Sequence, residues 1–262
     1  MITSVANARV KQVVQWQTKT KERKKDNVFL AEGLKMFEEA PEHMIREIYI
    51  EESVFEKLES VSSIYKKLQK TGLEIVSPEV FKKMSDTQTP QGLLMVLEQP
   101  SYSLEELLKV ENPLFVVLED LQDPGNLGTI VRTGEGAGVT GVIMSKNTVD
   151  IFNPKTIRAT MGSIYRVPFV YAEDMEDTIK SLHNANIKTY AAHLAGRDCY
   201  DSFSFKEGTA FLIGNEGNGL KKSTAESAFA YLKIPMEGHV ESLNAAIATS
   251  LLMYEAHRQR KY

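Results

Sequence analysis

The chain has one cysteine and one tryptophan in 262 residues. Cys199 alone cannot close an intrachain disulfide, and no Cys/His cluster has the spacing of a zinc site, so neither staple is available and no metal site is expected. No segment approaches the roughly 18 apolar residues needed for a membrane span, and Met1 to Val5 lack a basic stretch followed by an apolar run. Neither an anchor nor a leader is expected, and a reducing, cytoplasmic setting fits the cysteine usage. Internal repeats and low-complexity tracts are missing too. What remains, 42% hydrophobic and 25% charged residues, is the composition of a soluble globular protein.

The net charge of −4 argues against a nucleic-acid binder until its distribution is considered. Residues 1–27 carry seven basic side chains (Arg9, Lys11, Lys19, Lys21, Arg23, Lys24, Lys25) against Glu22 and Asp26, a local balance of +5. Such a block can neutralise phosphates and release counterions, with Trp16 as a stacking surface. The alternative is a solvated helix face.

Alternating strand and helix patterns fill the first hundred residues. Phe29–Ala40 reads as a strand turning into a helix, Ile45–Ile50 as a strand, Ser53–Thr71 as a helix, Leu73–Val76 as a strand, Pro78–Met84 as a helix and Leu93–Leu97 as a strand. Pro100–Ser103 and Asn112–Pro113 punctuate the chain, which places a boundary between domains at 1–105 and 106–262. The second half offers six strands: Leu114–Glu119, Gly141–Met144, Val167–Val170, Lys188–His193, Ala210–Gly214 and Tyr231–Ile234. Most are unbroken apolar runs between helices, which predicts an α/β fold with a mostly parallel sheet covered on both faces, its chemistry in the loops beyond the strands' carboxyl ends.

Three of those loops stand out. The first, from Asp123 to Gly138, opens a helix in whose early turns lies Arg132, a guanidinium able to grip a phosphate. It carries neither the G-x-G-x-x-G turn of a dinucleotide site nor a P-loop, and Gly134, Gly136 and Gly138 point to close packing. The second, Leu212 to Leu220, holds Glu216 among three glycines. The third runs from Ile234 into the last helix, where Ser242 reads equally as N-cap or site residue. Asn244 can donate and accept at once, as a ligand-orienting group must. Leu243, Ile247, Leu251 and Tyr254 predict a buried stripe on that helix. His239 reads as merely exposed.

Taken in order, these loops resemble the signature motifs of the SpoU/TrmH family of SPOUT methyltransferases over about residues 113–257. Asn126 to Arg132 is similar to its first motif, Gly214-Asn-Glu-Gly-Asn-Gly-Leu220 to its second, and Ile234-Pro-Met with Ser242-Leu-Asn244 to its third. Residues 1–105, chiefly through Phe29-Leu-Ala-Glu-Gly33, resemble the small ribosomal-protein-like substrate-binding domain often attached to it. The resemblance implies transfer of a methyl group from S-adenosyl-L-methionine to a ribose 2′-hydroxyl of structured RNA, ribosomal (23S) before transfer RNA, with neither DNA nor a membrane as partner. It implies a carboxyl-terminal trefoil knot, a homodimer, and Arg132, Asn126, Glu216, Ser242 and Asn244 as catalytic residues. The cofactor would lie against Ala192, His193, Gly214, Asn215, Glu216, Gly219, Ile234, Met236 and Leu243. The rival reading is a non-catalytic RNA-binding protein that kept the fold.

Overall fold

The computed structural model describes residues 1–58, 62–240 and 242–261. In chain order the elements are α1 (Ala8–Thr18), α2 (Thr20–Asp26), β1 (Val28–Glu32), α3 (Leu34–Glu39), β2 (Ile45–Glu51), α4 (Glu52–Leu58), α5 (Ser62–Thr71), β3 (Glu74–Val76), α6 (Pro78–Met84) and β4 (Leu93–Glu98). There follow α7 (Leu104–Leu107), β5 (Leu114–Leu118), α8 (Pro124–Ala137), β6 (Gly141–Ser145), α9 (Pro154–Thr160), β7 (Phe169–Ala172), α10 (Met175–Asn184) and β8 (Lys188–Ala192). The last are β9 (Asp198–Cys199), β10 (Thr209–Ile213), α11 (Lys222–Glu226), β11 (Ala230–Lys233) and α12 (Ala245–Lys261). Part of the helix expected over Ser53–Thr71, residues 59–61, lies outside the described residues.

The elements form two compact units. One is Met1–Pro100 together with Asp150–Tyr165, the other Ser101–Val149 together with Arg166–Tyr262. In the first, β4 runs antiparallel to β1 and β2, and β3 joins β2 in parallel, in the order β1-β4-β2-β3. Val10, Val13, Trp16, Leu30, Tyr49, Phe81 and Met84 build its core. Ile151, Ile157 and Ile164 in the Asp150–Tyr165 segment are at most 1% exposed, and Phe152 packs on Phe29 at 5.1 Å between ring centroids.

Two readings of the amino-terminal segment are corrected here. Trp16 is 9% exposed and donates its indole N–H to the Asp26 carboxylate at 2.7 Å, so it offers no stacking face. Arg23 is buried, donating to the Trp16 carbonyl at 2.6 Å and pairing with Asp150 at 2.6 Å. Two helices packed on a sheet need an inward stripe, and Trp16 and the stem of Arg23 occupy it. Lys11, Lys19, Lys21, Lys24 and Lys25 remain exposed.

The second unit is a seven-stranded sheet of order β7-β6-β5-β10-β8-β11-β9 in which every pairing is parallel. Its expected strands form within two residues of their predicted bounds; β9, two residues long, was not foreseen. The last helix turns the other way from expectation. Its buried face is Ala245, Ala246, Thr249, Leu252, Met253 and Ala256, whereas Ile247, Leu251 and Tyr254 are 52%, 39% and 49% exposed. Small residues win the interior because α12 lies against α8, where a Cβ on Gly134 would stand 3.7 Å from the Met253 sulfur and one on Gly136 would stand 3.0 Å from the Tyr254 hydroxyl.

Candidate active site

Four strand ends and two helix starts create the site. Parallel pairing lines up the carboxyl ends of β5, β10, β8 and β11, so the segments that follow them emerge on one edge of the second unit. After β5 the chain turns at Asp120, in the left-handed region at φ 56°, and enters α8 through Asp123-Pro124. Asp123 is the N-cap, accepting the Asn126 N–H at 2.7 Å, and Pro124 occupies the first turn, where a missing N–H does no harm.

Glu216, on the loop after β10, ties the first and second motifs together. Its carboxylate accepts the backbone N–H groups of Gln122 and Asp123 at 3.2 and 3.1 Å and the Asn126 side-chain amide at 3.1 Å. Burial works against its charge. Hydrogen bonds from Asn126 and from the backbone of Glu216, Gln122 and Asp123 outweigh that and hold its carboxyl below the usual value. Asn126 is thereby oriented with its oxygen free to accept, and it accepts the Asn244 side-chain N–H at 2.9 Å. The Asn244 oxygen in turn accepts the N–H groups of Ala246 and Ile247 at 2.9 and 3.3 Å, so Asn244 caps α12. A continuous chain of hydrogen bonds, Asn244 to Asn126 to Glu216, joins the three motifs.

Ser242 does not cap the helix and stands exposed two residues upstream. Arg132 lies just past the second turn of α8, exposed, and among the described residues it has no ion-pair or hydrogen-bond partner. A cation mounted on a rigid helix and unspent on protein acceptors is available to an anionic ligand.

Asn215 shapes the second loop. Its side-chain oxygen accepts the N–H groups of Gly217 and Asn218, and its amide donates to the Asp120 carbonyl at 2.9 Å. Gly214 sits so close to the returning chain that a Cβ there would overlap the backbone of Gly219 and Leu220. On the loop after β8, Gly196 leaves room for only a hydrogen atom, since a Cβ would fall 2.8 Å from the Leu232 carbonyl carbon. Ala192 ends β8, Ile234 follows β11, and Ile234, Met236 and Leu243 are each half-buried. The His193 ring lies 5.0 Å from Tyr231 and its Nδ1 accepts the Ala195 N–H at 3.1 Å. Tight backbone, half-buried apolar side chains and one oriented carboxylate together fit a nucleoside-sized ligand of mixed polarity better than a bare ion. Among the described residues no group of three or more His, Cys, Asp or Glu is arranged to hold a metal.

Sequence reasoning missed the hub beneath these loops. Buried Glu119 accepts the Lys221 N–H at 2.8 Å and the Thr224 hydroxyl at 2.6 Å, while Asp120 pairs with Lys221 at 2.7 Å and accepts the Ser145 hydroxyl at 2.7 Å. A cavity of about 200 Å³ lies alongside, lined by Glu119, Asp120, Lys146, Glu173 and Lys221 among others. The Asp123-Pro124 pair had a readable signature, an N-cap residue before proline; Asp120, Gln122 and Lys221 had none.

Comparison with known proteins gives this geometry a class. The model of the SpoU rRNA Methylase family matches residues 113–254, and that of the MRM3-like substrate binding domain matches residues 7–95. The chain is 33% identical over 257 residues to the 23S rRNA (guanosine(2553)-2′-O)-methyltransferase RlmP of Bacillus subtilis, covering 97% of each chain. It superimposes on an AdoMet-bound rRNA methyltransferase from Sinorhizobium meliloti with a TM-score of 0.87 at 33% identity, over 98% of this chain and 97% of that one. The AdoMet complex of the SpoU methyltransferase AviRb from Streptomyces viridochromogenes aligns with a TM-score of 0.85 at 26% identity, over 97% and 98%. The chain belongs to the SpoU rRNA methylase family. It combines a methyltransferase unit of that family with an amino-terminal substrate-binding module.

Proposed function

We propose that the protein transfers a methyl group from S-adenosyl-L-methionine to a ribose 2′-hydroxyl of ribosomal RNA, with residues 1–105 as the RNA-binding domain and 106–262 as the methyltransferase domain. The observation that carries this reading is the hydrogen-bonded chain through Asn126, Glu216 and Asn244, anchored by Asn126 on the same helix, α8, that carries solvent-facing Arg132. Backbone at Ala192, Gly214, Asn215 and Gly219, with Ile234, Met236, His193 and Leu243, would hold the cofactor, which when bound supplies an electrophilic methyl on a sulfonium.

The protein's own part is alignment and charge. Positioning an attacking oxygen in line is worth roughly 7–11 kcal/mol in well-aligned cases. Arg132 grips the RNA phosphate and stabilises the negative charge that grows on the 2′-oxygen as its proton leaves to solvent or phosphate. Glu216 fixes the amide of Asn126, Asn126 fixes that of Asn244, and Ser242 reaches the substrate. These amides hold the ribose in register with Arg132.

The exposed face of Ile247, Leu251 and Tyr254 supports a homodimer, since three large apolar residues at helical spacing are rarely left to water. Sedimentation should show the dimer, and a Leu251→Glu, Ile247→Glu variant should run as a monomer. A trefoil knot at the carboxyl end belongs to the same reading, supported by the close backbone passage of Gly196 against Leu232 and Lys233. Pulling on the chain termini should leave it shorter than its full contour length. The assignment as a whole is tested by mapping ribose methylations in cells carrying the wild-type gene, an Arg132→Ala gene or a deletion. One 2′-O-methyl mark on 23S RNA should vanish in both altered strains. A lost mark on a base or on transfer RNA overturns it.

A further inference from the structure

The loop of residues 85–92 joins α6 to β4 and contains no large apolar side chain. A loop of this composition is ordinarily free to move, yet a single carboxylate pins this one. Glu32, at the end of β1, accepts the Ser85 hydroxyl at 2.6 Å, the Thr87 hydroxyl at 3.2 Å and the Gln91 backbone N–H at 2.8 Å. Its inward-facing groups satisfied, the loop presents Asp86, Gln88, Thr89 and Gln91 to solvent. Exposed Lys82 and Lys83 lie in the last turn of α6, before it.

Arg158 reaches the same loop from α9, in the segment Asp150–Tyr165 that belongs to the first unit. Its guanidinium donates to Asp86 at 2.7 Å, with the two side chains 38% and 43% exposed. Pairs this exposed contribute little to stability, about 0–1 kcal/mol, so folding alone gives weak reason for it. Asp86 occupies the position a phosphate oxygen would take in front of the fork of an arginine. Amide and hydroxyl side chains held on a fixed backbone are the groups that read base edges of splayed-out RNA, and cations beside them take the phosphates. Fixing the backbone beforehand also lowers the ordering entropy lost on binding.

We propose that residues 85–92 with Arg158 form a contact site for single-stranded RNA, in which Arg158 exchanges the Asp86 carboxylate for a phosphate. The inference rests on the reading of the protein as an RNA methyltransferase, and names the surface of the first unit that engages the substrate. Glu32 is then a positioning residue, and Asp86 a placeholder.

The exchange predicts opposite signs for the two members of one ion pair. With the full-length protein and protein-free large-subunit ribosomal RNA as the probe, Arg158→Ala should weaken binding about fivefold to tenfold and Gln88→Ala by a similar factor. The salt dependence in Arg158→Ala should become shallower by about 0.7, the value for one single-strand phosphate. Asp86→Ala should bind as well as the wild type or tighter, Arg158→Lys should recover part of the loss, and cofactor affinity should not move in any of them. Unchanged binding in Arg158→Ala, or equal weakening in Arg158→Ala and Asp86→Ala, overturns the proposal, the second result being the mark of a merely structural pair. Because binding is read without catalysis, a wild-type protein that binds the RNA but methylates no 2′-hydroxyl would sink the enzymatic reading and leave the loop result standing.

Discussion

The amino-terminal basic segment and the loop cluster of the second unit each carry an arginine, Arg23 and Arg132, and the fold treats the two in opposite ways. Arg23 is sunk in the first unit, its guanidinium spent on backbone carbonyls, Thr20 and Asp150. Arg132 stands on α8 with its charge open to solvent. A run of like charges says nothing about which member faces inward, because helix phase and a partner more than a hundred residues away decide that. A glycine-and-amide loop after a buried strand says much more, since parallel strands bring their ends to one edge whatever lies between them in the sequence.

Four measurements would break or sharpen that contrast. Arg132→Ala should lower methyl transfer by at least about 10²–10³-fold, the usual loss when a preorganised charge-stabilising group is removed, while calorimetry finds cofactor affinity nearly unchanged. Equal loss of both would move Arg132 to the cofactor side. Arg23→Ala should leave the chemistry alone but cost about 3–5 kcal/mol of stability, because it strands the Asp150 carboxylate at a site where that side chain is 14% exposed. Thermal unfolding should show the drop, and Arg23→Met with Asp150→Leu should recover much of it. Asn244→Ala removes a helix cap worth about 1 kcal/mol and the amide that meets Asn126, so turnover and cofactor affinity should fall together by about tenfold. The smallest effect concerns pH. Since the folded state holds the Glu216 carboxyl below its ordinary value of 4.5, the order it confers is complete above that value and is lost as pH falls through the lower folded one. Cofactor affinity measured against pH should therefore be flat at neutral and mildly acidic values and fall only below 4.5, whereas a Glu216→Gln variant should show no such step.

Much of the architecture was legible because the most deeply buried parallel strands, β5, β6 and β10, are written as nearly unbroken apolar runs. The first two motif loops were legible for the same reason, each following such a run, whereas the third follows β11, which carries Lys233. The orientation of α12 was not. Two stripes satisfy the helical period there, one of large residues (Leu243, Ile247, Leu251, Tyr254) and one of small ones with Leu252 and Met253, and only the glycine-lined surface of α8 selects the small one. The Asp120–Lys221 pair was invisible because it joins residues a hundred positions apart with no pattern around either. From the sequence Asn244 reads as a ligand-orienting amide and Ser242 as a candidate cap; the side chain two residues closer to the first helical turn reaches the amides of Ala246 and Ile247, and Ser242 does not.

The membership of Asp150–Tyr165 in the first unit has a consequence for how the protein is made. A domain ending near residue 100 would be complete as soon as that stretch left the ribosome. Here Phe29 waits for Phe152, Arg23 for Asp150 and Asp86 for Arg158, so the sheet of the first unit emerges with its buried cation unpaired and one flank open. At translation rates of about 5–20 residues per second, the interval between Pro100 and Tyr165 is roughly 3–13 s. During it β5 and β6 are also emerging, two apolar strands with no β10 yet to separate them from a neighbouring nascent chain. The first unit thus cannot close until part of the second has been made, held open by sixteen residues that lie inside the sequence of the second.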